Sequence, residues 1–311
     1  MVRLGVLDVG SNTVHLLVVD AYRGGHPTPT HSSKTVLRLA ENLTKSGSLS
    51  KAGEQSLIDA VARAKKDARN QGCDDLLAFA TSAVRDASNS SSVLARVKRE
   101  TGVELVVLTG AEEARLTFLA VRRWYGWSAG RLLDLDIGGG SLELAVGVDE
   151  EPELAISVPL GAGRTAREYL QGDPPDKKAL TGLREHAERT LAKPAKQLTA
   201  IGLSDRAVAT SKTFRSLARL TGAAPSSAGP RASRHLTLEG LGQLIGFISR
   251  ISSADLAELD GVSATRAHQL LAGAVVAEVT MKVLGLGVVQ ICPWALREGV
   301  ILRRLDWLEG V

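Results

Sequence analysis

A chain of 311 residues exceeds most single domains, so two packed domains are the expected solution. Its 44% hydrophobic and 23% charged residues favour neither a disordered nor a membrane class, and 38 Lys and Arg against 34 Asp and Glu give a net charge of +4, mild overall but unevenly spread. The two cysteines, Cys73 and Cys292, have no neighbour at zinc or redox-motif spacing, and Met1 to Gly5 leads straight into a strand without a signal-peptide core, so a reducing, cytoplasmic setting is expected.

In chain order, Leu7-Asp8-Val9-Gly10-Ser11-Asn12-Thr13-Val14 reads as an apolar strand, a small-residue turn and a second apolar strand, a β-hairpin. A third strand is expected over Thr35 to Leu39 and a polar loop over Thr44 to Ser50. A helix follows over Ala52 to Asn70, with Leu57, Ile58, Val61, Ala64 and Ala68 on one face. Strands over 76–80 and 104–108 and helices over 91–101 and 111–124 complete an α/β unit.

The opening hairpin then returns as Leu135-Asp136-Ile137-Gly138-Gly139-Gly140-Ser141-Leu142-Glu143-Leu144, within strands over 131–137 and 142–148, followed by a strand over 153–159. Helices are expected from Arg164 and over Asp176 to Leu198, a strand over Arg206 to Ala209, a helix over Thr213 to Thr221, and a flexible surface loop over Ala223 to Arg234. Helices over 237–251 and 263–284 come next, then a buried strand over Val288 to Ile291. The apolar run from Leu270 to Ile291 is interrupted by Glu278, Lys282 and glycines, which makes it a core helix plus strand rather than a membrane span. Ala295 to Leu308 reads as a closing helix whose Leu296, Val300, Leu302 or Arg303, and Trp307 are placed to dock on a domain surface. The domains are set at 1–124 and 125–311, the closing helix being able to pack back on the first.

Two hairpins that share Asp, Gly and hydroxyl positions at a domain-sized offset would present backbone N–H groups and two carboxylates to one cleft. That arrangement suits phosphate oxygens and a hard cation. The plainer reading is a pair of structural turns, with Asp8 and Asp136 bracing them through backbone N–H groups. Neither a Gly-x-x-x-x-Gly-Lys-Ser/Thr loop nor the dinucleotide fingerprint is present, since a strand rather than a helix follows Gly138-Gly139-Gly140. The stretch from Arg206 to Leu238 holds Arg206, Lys212, Arg215, Arg219, Arg231 and Arg234 and no acid. It reads either as a polyanion-steering surface or as a solvated helix face and loop.

The chain resembles the exopolyphosphatase and guanosine pentaphosphate phosphohydrolase family, a branch of the superfamily that includes actin and the sugar kinases. The resemblance is carried by Asp8-Val9-Gly10-Ser11-Asn12-Thr13, Ala80-Thr81-Ser82-Ala83-Val84-Arg85-Asp86, Thr109-Gly110-Ala111-Glu112-Glu113-Ala114-Arg115, Asp136 to Leu144, and Leu296-Arg297-Glu298-Gly299-Val300. It implies an α/β chain with the two-domain actin-like (ribonuclease H-like) ATPase-superfamily fold and an inter-domain cleft. The implied activity is Mg²⁺-assisted hydrolysis of the terminal phosphoanhydride of inorganic polyphosphate, with pppGpp hydrolysis as the alternative. A sensor that binds polyphosphate or nucleotide without hydrolysis is a reading of another class.

By similarity Glu113 is the general base and Arg85 the guanidinium clamp on phosphate. A helix-capping carboxylate is the competing role, and it fits Glu112 better. Phosphate would lie on Gly10, Ser11, Asn12 and Thr13 of one turn and Gly138, Gly139, Gly140 and Ser141 of the other. Asp136, Glu143 and Asp8 are the candidate metal ligands. Relatives carry a Ser-Gly-Thr-like turn where this chain has Ala209-Thr210-Ser211-Lys212-Thr213, so the charge of Lys212 is expected to stand in for the missing glycine. His15, which occupies the place that Glu143 holds in the second copy, is read as a satisfied strand residue. The chain stops after the Leu-Arg-Glu-Gly helix, so a preference for shorter polyphosphate is expected. No nucleic-acid or membrane partner is expected, and a homodimer is left open.

Overall fold

The computed structural model describes residues 1–22, 24–44 and 46–307; Lys45 of the expected polar loop and Leu308 of the expected closing helix lie outside the described residues. In chain order the elements are β1 (Val2–Val9), β2 (Thr13–Ala21), β3 (Thr28–Val36), α1 (Lys51–Asn70), β4 (Asp75–Ala80), α2 (Ser82–Arg85), α3 (Ser90–Thr101), β5 (Val106–Val107) and α4 (Gly110–Tyr125). They continue as β6 (Leu132–Ile137), β7 (Leu142–Gly147), β8 (Leu154–Val158), α5 (Ala162–Tyr169), α6 (Lys177–Ile201), β9 (Arg206–Ala209), α7 (Ser211–Leu220), β10 (His235–Thr237), α8 (Leu238–Ile248), α9 (Ser253–Ala257), α10 (Ala267–Val283), β11 (Val288–Ile291) and α11 (Leu296–Asp306).

The contacts gather into two compact units, Met1–Leu116 together with the segment from Leu296, and Thr117–Ala295. The division falls inside α4, and α11 belongs to the first unit. Among the described residues the first unit's sheet has the order β3-β2-β1-β4-β5, and the second unit's has β10-β11-β9-β6-β7-β8. Apart from the added edge strand β10, the second order repeats the first. In each, an antiparallel hairpin (β1/β2, β6/β7) is flanked by an antiparallel strand on one side and a parallel one on the other. The sequence duplication is therefore a duplication of topology, and the C-terminal ends of the parallel strands, where α/β proteins bind ligands, carry the paired turns.

In the first unit, strand alternation sends Leu7, Val9, Leu16 and Val18 against α1 and α3, and Leu4, Val6, Leu17 and Val19 against Ile301 and Leu305 of α11. Gly299 lets α11 touch α4, since a Cβ there would lie 1.9 Å from the Leu116 carbonyl oxygen. In the second unit, Leu133, Leu135 and Ile137 face a core shared with α5, α6, α7, α8 and α10. The helix α10 is buried almost all round, as an Ala/Val/Gly-rich helix without a polar face must be. Among the described residues no helix is long and apolar enough to cross a membrane.

Several expectations are corrected. The third strand lies at Thr28–Val36 rather than Thr35 to Leu39; its polar sequence hid it, because an edge strand on β2 needs no apolar face. Strand β10 and helix α9 were not anticipated, and β5 spans two residues instead of five. The segment expected as a flexible loop, Ala223 to Arg234, is organised around one side chain. The Arg234 guanidinium donates to the carbonyls of Ala224, Pro225, Gly229 and Ala232 at 2.6–3.0 Å. On α11 the buried anchors are Ile301, Leu302 and Leu305, while Trp307 is 74% exposed.

Candidate active site

In the first unit the turn Gly10–Thr13 is closed by the Gly10 N–H donating to the Thr13 carbonyl at 3.0 Å. The Ser11 and Asn12 carbonyls are held from outside the hairpin, the first by the Ala40 N–H (3.2 Å) and the second by those of Leu37 and Arg38 (2.9 and 3.0 Å). The Ser11 hydroxyl shares a hydrogen bond with that of Ser82 on α2 (2.9 Å). The same short helix ends in Arg85, whose guanidinium donates to the Leu108 carbonyl (3.0 Å), to Asp86 (3.2 Å) and, in a short contact, to Glu113 Oε1. A continuous chain of contacts thus runs from the Ser11 turn through α2 to Glu113. Burial works against the Arg85 charge, but Glu113 and Asp86 outweigh it and hold its pKa above the ordinary value.

The adjacent glutamates of α4 have different duties. Glu112 closes a capping box: its carboxylate accepts from the Thr109 N–H and hydroxyl, both at 2.7 Å, while its own N–H donates to the Thr109 hydroxyl at 3.2 Å. Those hydrogen bonds pull its pKa down. Glu113, 8% exposed, is left outside the cap and turned to Arg85.

Asp8 lies opposite His15 in the β1/β2 register, and Arg297 of α11 approaches both. The Arg297 Nε is 4.0 Å from Asp8 Oδ2, and Arg297 Nη1 makes a short contact with His15 Nδ1. The other ring nitrogen of His15 is 2.7 Å from the Ser32 hydroxyl. Burial first, then the positive charges of Arg297 and Lys34, push the His15 pKa down to about 3, so the ring is neutral. The histidine is a satisfied strand residue, as the sequence suggested.

In the second unit the turn is closed by the Gly138 N–H donating to the Ser141 carbonyl at 2.9 Å, the counterpart of the first. Asp136 faces Glu143 in the β6/β7 register, the place that Asp8 and His15 occupy in the first unit. Thr210, which follows β9, donates to Asp136 Oδ2 at 2.5 Å, and the Ser157 hydroxyl donates to Glu143 Oε1 at 2.8 Å. Burial raises the Asp136 pKa against the pull of Thr210, Arg215 and Arg266. Asp134, two residues earlier on the same face, is fully enclosed with an unpartnered Oδ1; burial, then its neighbours Asp136 and Glu143, drive its pKa well up. This half concentrates buried oxygen donors whose charge wants compensation, a donor set suited to a hard cation. Among the described residues no three His, Cys, Asp or Glu side chains close into a metal cage.

Lys212 is exposed at the start of α7, its ammonium 3.4 Å from the Gly261 carbonyl. The residue before it, Ser211, takes φ +68, the left-handed region that glycine occupies without strain, so the backbone bend is kept here by serine. Other members of the acid-free stretch are engaged internally: Arg206 with Gln290 and the Tyr125 ring, Arg215 with the Pro293 carbonyl, Arg219 with Asp260, Arg234 with its loop. Arg215 and Arg266, which act on Asp136, were missed as site residues. Nothing in their spacing distinguishes them from surface arginines; their role emerges only where α7 and α10 begin near β6.

The model of the Ppx/GppA phosphatase family matches residues 18–307. This chain belongs to that family. The Ppx/GppA match is supported by 64% identity over 304 residues with a Mycobacterium tuberculosis protein named Exopolyphosphatase 1, covering 98% of this chain and 88% of that relative. Two solved structures share the fold: an exopolyphosphatase from Cytophaga hutchinsonii (TM-score 0.88, 24% identity, 99% of each chain) and a PPX-GPPA enzyme from Aquifex aeolicus (TM-score 0.80, 26% identity, 97% of this chain and 99% of that one). The fold is thus the duplicated actin-like α/β architecture of the Ppx/GppA phosphatases.

Proposed function

We propose that this chain is an exopolyphosphatase, a hydrolase that releases orthophosphate from the end of inorganic polyphosphate. The observation that carries this reading is the near full-length 64% identity with a protein named Exopolyphosphatase 1. The site chemistry supports it, because phosphoryl transfer to water needs positioning and charge stabilisation more than covalent help.

Glu113 is the base: buried beside Arg85 and not consumed by the helix cap, it takes the proton of the attacking water. Arg85 orients that carboxylate and offers its planar fork to the phosphate oxygens. On this reading the turns Gly10–Thr13 and Gly138–Ser141 each supply N–H donors, and Lys212 supplies a positive charge. Asp136 and Glu143 would hold Mg²⁺, which when bound neutralises phosphate charge as it develops. Asp8, the third candidate ligand, has the Arg297 guanidinium 4.0 Å away. Cys73 and Cys292 are not joined in a disulfide, which suits the reducing cytoplasm where we place the enzyme.

The test is orthophosphate release from polyphosphates of defined length, pppGpp and ATP, each with and without Mg²⁺. Magnesium-dependent release from polyphosphate in preference to pppGpp is expected. Preference for pppGpp would move the chain to the activity named for relatives at 26% identity, of which it spans 58%, and no release from any substrate would make it a sensor.

A further inference from the structure

The segment Leu160-Gly161-Ala162-Gly163-Arg164, which the sequence offered only as the start of a helix, lies directly behind the second turn. Its donors take three consecutive carbonyls: the Ala162 N–H donates to Gly138 (3.0 Å), the Arg164 N–H to Gly139 (2.9 Å), and the Arg164 Nε–H to Gly140 (2.9 Å). In a planar trans peptide the C=O and the following N–H point in opposite directions. Drawing these carbonyls toward α5 therefore turns the N–H groups of Gly139, Gly140 and Ser141 the other way, as successive donors aimed at one anion. Two glycines make the approach close enough. A Cβ on Gly161 would lie 2.3 Å from Gly140 C and Ser141 N, and one on Gly163 would lie 2.6 Å from Gln269 Oε1 and 3.1 Å from the Gly139 carbonyl oxygen. Since Gly161 has φ −70, contact distance and not backbone freedom demands glycine there.

We propose that Arg164 is a positioning residue of the second phosphate turn, fastening the Gly139 and Gly140 peptides so that their donors are set before a tetrahedral phosphate arrives. This rests on the exopolyphosphatase reading for its substrate, but the geometry concerns phosphate itself. The first turn is fastened by main-chain donors of Leu37, Arg38 and Ala40, which side-chain replacement leaves in place; the second adds to its two main-chain donors the Arg164 guanidinium, which holds the Gly140 carbonyl and is open to mutation.

The experiment compares wild type with R164A, R164Q and R164K in KM and kcat for a polyphosphate of defined length, in inhibition by inorganic phosphate, and in melting temperature. In R164A the KM and the phosphate inhibition constant should both rise about 10-fold, the loss of a hydrogen bond to a charged ligand's cradle. R164K, which restores a cationic donor, should recover most of this, with R164Q between. A merely structural role would lower the active fraction, reducing kcat with KM and phosphate inhibition unchanged, and that result overturns the proposal. Should R164A fail to fold, the same two constants in R164Q and R164K decide: wild-type values in both overturn it. If wild type releases no phosphate from polyphosphate, the functional reading fails on its own, and calorimetric binding of inorganic phosphate to wild type and R164A still decides the role of Arg164.

Discussion

The two hairpins share a frame and differ in charge. In the first unit the turn's aspartate, Asp8, faces a neutral histidine and has an arginine beside it; in the second, Asp136 faces Glu143 with Asp134 next to it on the strand. The first half brings its own positive charge and adds the Glu113–Arg85 pair, whereas the second accumulates carboxylates. Duplication preserved the backbone of the turn, and on the proposed mechanism divergence at one cross-strand position would divide the labour: proton chemistry on one unit, cation holding on the other.

This division makes separable predictions. Replacing Glu113 by Gln should lower kcat about 10³-fold, the usual reach of a general base, without shifting the Mg²⁺ concentration for half-maximal rate; a shift in that concentration would break the comparison. E143Q should do the reverse, raising the Mg²⁺ requirement about 10- to 100-fold, and S157A, which frees the Glu143 carboxylate, should raise it about 10-fold; both are read from magnesium titrations of the rate.

His15 gives a pH signature confined to the first unit. Its pKa is lowered from 6.5 when unfolded to about 3 when folded, so between these values the unfolded chain binds a proton that the folded one refuses. Stability from this residue is complete above pH 6.5 and is lost as pH falls toward 3. Urea midpoints measured across that window should fall less steeply for H15N than for wild type; parallel curves would show that the ring is not held neutral. The smallest effect belongs to the cap. E112Q should cost about 1 kcal/mol in urea unfolding while leaving kcat within about twofold, against the large kcat loss of E113Q one residue later.

Much of the local structure around the candidate site was legible because its parts are short. The turns between Asp8 and Thr13 and between Asp136 and Ser141 announce themselves by small residues between apolar strands, and Thr109-x-x-Glu112 reads as a cap, leaving Glu113 for other work. The duplication followed from repeated element order, and the actin-like fold from the resemblance that the five motifs carry. What stayed hidden depends on contacts far apart in sequence. Strand β3 is polar because it lies at an edge, Arg297 meets Asp8 across nearly the whole chain, and the approach of Gly161 to Gly140 is a matter of tenths of an ångström that no local pattern encodes. The basic stretch stayed open between two readings for the opposite reason, since composition shows charge but not the internal acceptors that take up Arg219 and Arg234.

The contact between Gly299 and the Leu116 carbonyl has a bearing on biosynthesis. A ribosome delivers residues 1–116 first, yet Ile301 and Leu305, which cover one face of their sheet, arrive only after the whole second unit. The later-made unit is therefore the earlier one to have all its parts, and the nascent first unit must wait with an uncovered apolar face, the interval in which a chaperone would find most to hold.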